Sequence, residues 1–416
     1  MPPSDAAVCL DTPVAAPASG RSHVALVLLA LAMGGFAIGV TEFAAMSVLP
    51  DFAAGLGVDE PTAGHVISAY AAGVVVGAPI LAVLGARAPR WLLLVGFMGL
   101  FAIGNGLSAL APTYEWMLAF RFLSGIPHGA YFGVAALVAA SLVPLRLRTR
   151  AVSTILLGLT VATVIGVPVA NMVSHAFGWR WTFAIVSVLA ILTMALVALF
   201  APRDAAHPDA SPWRELGAIK RKQVWFTLGI GAIGFGGMFS VFSYIKPTLI
   251  EVAGLPLGGV PFVLALFGLG MVMGNLVGSR LADKSLMRTI GGLLVYAALV
   301  LAMFTFAAHN VYTAAFNVFL IGTTVAIGPA LQIRLMDVAG DAQTLAAALN
   351  HSAFNMANAL GAWLGGVAIA SGLGWTSTGW VGALLALAGV GIFGWAVMSA
   401  RASVQPGGAR RATSVS

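Results

Sequence analysis

The feature that most constrains this chain is a series of twelve apolar stretches, each about 20 residues long, joined by short polar links. Broken at Pro, Gly and charge clusters, they fall near residues 24–47, 62–84, 91–110, 115–143, 151–174, 180–201, 223–250, 259–281, 289–307, 311–333, 343–370 and 376–399. A helix rising about 1.5 Å per residue needs that length to cross a hydrocarbon core. Within lipid each backbone N–H and C=O must be satisfied inside the segment, so runs like these are helices. Composition leaves no other solvent: 60% of the residues are hydrophobic and 8% are charged, too few to clothe the globular domains that 416 residues would otherwise suggest. The expected fold is an all-α membrane protein of twelve transmembrane helices, with the lipid bilayer as its surroundings.

Charge then fixes an orientation. With both termini on the cytoplasmic side, the segments there hold every Lys and Arg except Arg121 and Lys246, which fall in spans, and Arg180. Asp51, Asp59, Glu60, Glu115 and Glu251 fall on the other side. This is the positive-inside pattern, and one missed span would invert every later loop. A formal charge of +7 would suit a nucleic-acid binder only if the cations formed a patch; scattered between spans, they set topology, and no nucleic-acid partner is expected. The single cysteine, Cys9, excludes a disulfide framework and a thiolate metal cluster, and no metal is expected. Residues 1–22 lack the basic start of a cleaved signal peptide. They and residues 401–416 read as disordered cytoplasmic tails.

Residues 203–222 form the longest polar link and divide the chain into halves, 23–202 and 223–400, with six spans in each. A gapless shift of 197 residues pairs Gly34 with Gly231, Gly39 with Gly236, Pro50 with Pro247, Gly77 with Gly274, Arg87 with Lys284 and Gly125 with Gly322. The register holds across four spans, as two related halves would require.

Two charges and a histidine inside the apolar runs demand an explanation. The fourth span reads FRFLSGIPHGAYFG from Phe120 to Gly133. An Arg at a helix centre costs about 2.5–3.5 kcal/mol on insertion scales, so Arg121 must face protein or a wet cavity. It lies about 10 Å below the span's end near Tyr114. Glu42, seven residues before Leu49 where the first span ends, sits at similar depth. Gly125 and His128 follow Arg121 by four and seven residues and share its face, making a polar track. Under the 197-residue shift Glu42 maps to Phe239, Arg121 to Val318 and His128 to Val325, so helix packing alone does not demand the charges. In the eleventh span His351, Asn355 and Asn358 recur at helical spacing and Asn350 adds to their patch; Gln332 lies in the tenth span, and Tyr244 in the seventh can turn inward. Such groups either bind a polar solute or join helices, each bond then being worth well under about 2 kcal/mol.

After the eighth span the chain reads GNLVGSRLADKSLMR, and after the second GAPILAVLGARAPR. The former resembles the signature loop of the major facilitator superfamily, with Gly278, Arg280, Leu281, Asp283 and Lys284 in place. In the latter Arg87 and Arg90 remain, while Ala86 stands where the family has Asp and Pro89 where it has Gly. GVTEF at 39–43, SAYAAGVVVGAP at 68–79, RFLSGIPHG at 121–129, GVPVA at 166–170 and GWRWTF at 178–183 are similar to the bacterial drug:proton antiporter branch. Within it they most resemble the arabinose efflux permeases, a group of sugar, purine nucleoside and chloramphenicol exporters. The resemblance covers all but the tails. It implies a monomer of the bacterial inner membrane whose first, fourth, seventh and tenth helices line a central cavity. It also implies export of a small organic solute in exchange for protons, by alternating access. In the family the loop residues latch neighbouring helices on the cytoplasmic side, the role implied for Arg280, Asp283 and Lys284. For Arg87 and Arg90 the missing Asp weakens that latch, and a purely topological role fits them equally. Gly158 with Gly166 and Pro168 resembles the family's antiporter motif, whose Gly and Pro permit close approach and bending; ordinary small-residue packing is the alternative.

With that arrangement a contact between Glu42 and Arg121 is sterically open. In the functional reading Glu42 exchanges a proton with Arg121 as the charge beside it, and His128 binds solute or relays the proton. The proton is then the coupling ion and no cofactor is needed. In the structural reading the two form a permanent buried pair, with His128 bonded to a carbonyl freed by Pro127. A membrane-embedded enzyme is the first rival; against it, there is no HExxH or GxSxG, and Glu42 is the one acid clearly inside a span. A non-transporting sensor is the second, and it would be expected to carry a sizeable soluble domain. No Walker A sequence is present. A cavity with few charges and some amide and aromatic groups suits neutral sugars, nucleosides and amphipathic drugs alike.

Overall fold

The computed structural model describes residues 21–205 and 211–404. Twelve helices are long and apolar enough to cross a membrane: α1 (Ser22–Ser47), α2 (Thr62–Leu84), α3 (Arg90–Ala109), α4 (Tyr114–Ser141), α5 (Leu145–Phe177), α6 (Arg180–Phe200), α7 (Lys222–Phe242), α8 (Val260–Lys284), α9 (Leu286–Ala307), α10 (Val311–Ala339), α11 (Gln343–Leu373) and α12 (Ser377–Arg401). Each falls on a run read from the sequence. The seventh departs most, since α7 stops at Phe242 where a helix to residue 250 was expected. Tyr244, at φ −117° and ψ 15°, leaves helical geometry. Pro247 has no N–H to offer the Ser243 carbonyl one turn back, so the chain restarts as a short turn, Ile245–Pro247, and a wider one, Thr248–Val252. A short helix, Leu49–Leu56, was likewise not foreseen, and it closes on Gly57 in the left-handed region at φ 70°. Residues 21–22 and 401–404, read as tail, are helical. The rest of both expected tails, and residues 206–210 of the link, lie outside the described residues.

Polar contacts sort the helix ends into two faces. At one face the Asp204 carboxylate accepts the Arg90 and Trp91 N–H groups at 3.0 and 3.4 Å. There too Arg148 pairs with Asp337 at 3.1 Å, and Arg334 donates to Gln223 at 3.1 Å. At the other face Ser174 donates to Asp51 at 2.6 Å, Asn171 to Ser47 at 2.8 Å and Trp375 to Glu251 at 2.6 Å. The cationic links collect at the first face, the basic end.

Each half has its own core, represented by Leu31, Phe101 and Val186 in the first and Phe267, Leu294 and Phe304 in the second. The repeat seen in the sequence is a repeat of joints. In the first half Gly73 abuts the Phe122 carbonyl, Gly77 abuts Ile126, and Gly125 abuts the Tyr70 carbonyl. Advanced by 197 residues, Gly270 abuts the Phe319 carbonyl, Gly274 abuts Thr323, and Gly322 abuts the Phe267 carbonyl. A Cβ at any of these would collide with backbone, so α2 on α4 and α8 on α10 are the same close crossing made twice. Between the halves, α2 and α4 lie on α11, and α5 lies on α8 and α10. The outer surface carries large apolar side chains such as Leu84, Phe177, Phe262, Phe306 and Trp395, each more than half exposed. In water these would mark a binding patch; against lipid tails they are solvated.

The described part of the interhalf link packs across the basic end. Ala218 is buried with Ala82, Ala339 and Leu345. The Glu215 carboxylate accepts the Leu345 N–H at 2.9 Å, satisfying one of the orphan donors at the start of α11. Burial raises the Glu215 pKa above the ordinary carboxylate value, against the pull of its bonds from Leu345 and Thr344.

Candidate functional site

Where α1, α4 and α5 face α7, α8, α10 and α11, the halves enclose a cavity of about 70 Å³. One side is aromatic: Phe242 stacks on Phe267 with centroids 4.5 Å apart, and Phe235 meets Phe354 at 5.0 Å and Phe239 at 5.5 Å. The polar groups on its wall are Glu42, His128, Thr160, Asn275, His351 and Asn355. Pockets for organic ligands usually measure about 300–1,000 Å³, so the halves must part before a solute enters.

Glu42 and Arg121 are not ion-paired. Arg121 is 1% exposed; its Nη1 donates to the Thr41 hydroxyl at 3.1 Å and its Nη2 to the Thr41 carbonyl at 3.5 Å. Its guanidinium lies 4.4 Å from the centre of the Tyr70 ring. The Thr41 hydroxyl in turn donates to the Asn105 side chain, itself anchored on the Phe101 carbonyl. Helix geometry explains the difference from expectation. Neighbouring residues point about 100° apart on a helix of 3.6 residues per turn. When Thr41 turns toward α3 and α4, Glu42 must turn toward the cavity.

His128 does not bond to a carbonyl freed by Pro127. Its Nδ1 lies 2.9 Å from the Tyr70 hydroxyl, so Tyr70 joins the buried guanidinium and the imidazole into one unit. The Nε2 atom of His128 is buried without a partner. His351, from the other half, lies with its ring 5.3 Å from that of His128 and stacks on Phe132 at 4.2 Å. The two imidazoles therefore meet across the boundary between the halves.

The remaining polar candidates divide. Asn355 is on the cavity wall, with its Nδ2 donating to the His351 carbonyl at 3.0 Å. Gln332 and Asn350 lie off the cavity wall and bond to protein: Asn350 donates to Gln332 at 2.6 Å and Gln332 to the Ala347 carbonyl at 3.0 Å, tying α10 to α11. Tyr244 turns to α11 and donates to the Ala362 carbonyl at 2.8 Å, and Asn358 is half-buried away from the cavity. Four residues not singled out from the sequence complete the site: Thr41, Tyr70, Asn105 and Asn275. Asn275 is fully buried on the cavity wall with neither amide atom partnered. Such groups are uncommon and call for a ligand, a water or a change of conformation. Its signal in the sequence is an amide inside an apolar run, masked by its place at the head of GNLVGSRLADK.

The conformational candidates are placed as follows. Gly158 packs against the Ala32 carbonyl and Gly166 against Val40, where any Cβ would collide. Between them the wider turn Ala162–Gly166 leads into Pro168, where α5 packs along α1. Asp283 is 3% exposed and bridges the halves at the basic end, accepting the Thr149 N–H at 2.9 Å and lying 3.1 Å from the Arg150 Nε. Arg280 donates to the Leu276 carbonyl of its own helix at 2.7 Å. Lys284 and Arg87 are exposed, and Arg90 contributes its backbone N–H to Asp204.

Two related six-helix halves closed around a small cavity that carries a carboxylate define a polytopic membrane transporter. The Major Facilitator Superfamily profile matches residues 31–340, and the chain belongs to that superfamily. It is 39% identical over 360 residues to the inner membrane transport protein YdhP of Escherichia coli strain K12, spanning 86% of this chain and 92% of that one. It is 34% identical over 344 residues to a chloramphenicol resistance protein of Streptomyces lividans, spanning 81% and 87%. The solved Escherichia coli fucose:proton symporter FucP shares the fold, with a TM-score of 0.72 at 14% identity over 90% of this chain and 99% of that one. The protein is thus a multi-pass membrane transporter and not an enzyme.

Proposed function

We propose that this transporter exports a small organic solute in exchange for protons, with the basic end and both termini in the cytoplasm, working as a monomer that rocks its halves about the central cavity. The observation that carries the reading is Glu42, an acid inside a membrane span and on the wall of a mainly apolar cavity. A carboxylate there is costly unless it is hydrated, protonated or hydrogen-bonded. The empty charged form therefore resists closing over a dry cavity, whereas either a proton or a solute with hydroxyl or amide donors relieves it. Closing with one or the other, and not with neither, is the condition for exchange. Arg121, held behind Glu42 by Thr41, supplies a fixed positive charge that keeps the ionised form accessible in the open states. His128 and His351 sit where the halves separate, positioned to hold solute or pass the proton. Phe239, Phe242, Asn275 and Asn355 are the groups of the second half that would recognise the solute. Similarity to a chloramphenicol resistance protein supports efflux of amphipathic solutes and makes chloramphenicol the first probe.

The test is proton flux in proteoliposomes loaded with a pH-sensitive dye, under an imposed gradient, as chloramphenicol, arabinose and a purine nucleoside are added in turn. The expected result is flux evoked by one of them and lost in Glu42→Gln. Full coupled flux in that variant would remove Glu42 as the proton carrier, and no response to any solute would reject exchange for these classes.

A further inference from the structure

A second concavity, of about 710 Å³, lies on the membrane-facing side of the second half, between α8, α9 and α10. Gly274 and Gly278 make it deep by drawing α8 against Thr323 and Ala326, and at Gly292 on α9 a side chain would meet nothing. Its sides are apolar, with Met273, Val277 and Leu281 each more than two-fifths exposed. At the basic end stand Lys284 and Arg288, both exposed, with Ser285 and Thr289 also in the lining and no acid there. Among the described residues neither cation has a hydrogen-bond or ion-pair partner. From Lys284 to Met273 the groove runs about 16 Å along α8 at 1.5 Å per residue, roughly half of a 30 Å hydrocarbon core, the depth of one leaflet.

The first half supplies an internal control. Under the 197-residue shift Lys284 corresponds to Arg87, Arg288 to Trp91, Ser285 to Ala88, Thr289 to Leu92 and Gly292 to Val95. There the anion is part of the chain: Asp204 takes the N–H groups of Arg90 and Trp91, and Arg203 lies over the Trp91 ring at 5.4 Å. The counterpart of Asp204 in the second half is Arg401, a cation. The groove lining therefore has hydroxyl groups at Ser285 and Thr289 and open space at Gly292 where the first half has Ala88, Leu92 and Val95, and it has no carboxylate.

We propose that this groove binds one anionic phospholipid from the leaflet at the basic end, its phosphate between Lys284 and Arg288 and an acyl chain running toward Met273. The site is separate from the central cavity, so its failure would leave the transport reading untouched. The test titrates delipidated full-length protein with palmitoyl-oleoyl phosphatidylglycerol or with phosphatidylcholine of the same chains, and counts retained lipid by native mass spectrometry. One phosphatidylglycerol should be held roughly thirtyfold more tightly than phosphatidylcholine, as two interfacial cations would give. Lys284→Gln with Arg288→Gln should remove that preference. Gly292→Phe, which fills the groove and keeps the charges, should lower retention of both lipids and serves as the test if the charge variant fails to fold. Equal retention of the two lipids by the native protein would overturn the proposal. So would a preference that survives the charge variant, or displacement of the lipid by inorganic phosphate alone.

Discussion

Where the first half buries Arg121 and His128, the second half has Val318 and Val325, although the glycine joints around them match in register. Where the first half turns Glu42 to the cavity, the second turns Phe239. Identical crossings thus carry unlike chemistry, which separates what the scaffold needs from what has been added to it. The scaffold needs small residues at the crossings. The Arg121, Tyr70 and His128 unit is not required by that packing, and a buried cation without a carboxylate partner is a poor way to stabilise a helix bundle. In the proposed cycle the first half handles the proton and the second recognises the solute.

The largest test of this division moves the acid. Glu42→Gln should reduce solute-evoked proton flux to background, and adding Phe239→Glu at the mirrored position should not restore it, because Val318 offers no cation behind it. Recovery of coupled flux in the double variant would erase the distinction between the halves. Next, Arg121→Met should lower flux by roughly tenfold or more while leaving thermal stability unchanged or raised, since apolar replacement of a buried charge is often neutral or better; a large drop in melting temperature would restore a structural role for the arginine. Gly158→Val, which drives a side chain into the Ala32 carbonyl, should cost about 1–3 kcal/mol of stability by denaturation in detergent. Gly292→Ala, in open space, should cost far less and sets the scale. In the second half Asn275→Leu should weaken solute affinity by roughly fivefold, about 1 kcal/mol for one lost hydrogen bond, without altering the pH dependence of flux. A shifted pH profile would place the proton path in both halves.

The smallest effect belongs to the link. Because burial holds the Glu215 pKa above its unfolded value, docking of residues 211–220 takes up a proton. Docking is favoured fully below the ordinary carboxylate pKa and loosens as pH rises through the raised one. Amide exchange of Leu345 should accordingly speed up with pH more steeply than the chemical rate alone, and Glu215→Gln should flatten that extra dependence.

The spans were legible because lipid is an exacting solvent: few sequences keep 20 residues apolar for another reason. The break in α7 was less so, since Pro247 is tolerated inside many membrane helices and only the Tyr244 torsions show that this one yields. For the site, depth along a helix could be read from residue counts, and Glu42 and Arg121 do share a level of the structure. Azimuth could not. Whether Thr41 or Glu42 faces α4 depends on how α1 is rotated against three neighbours, which no spacing within α1 reveals. Gln332, Asn350 and Asn355 look alike in sequence, yet the α10–α11 crossing pairs the first two while Asn355 bonds within α11 on the cavity wall.

The Asp283 bridge has a consequence for tempo. Opening at the basic end must pull its carboxylate from the Thr149 N–H and Arg150, and closing must find them again. Arg150 is 45% exposed, which discounts the pair to about 1 kcal/mol or less, enough to slow opening by no more than roughly fivefold. A tighter bridge would prevent leaks at the expense of turnover, and a looser one would let the bundle idle open. Its strength acts as an escapement, setting how fast the transporter can run.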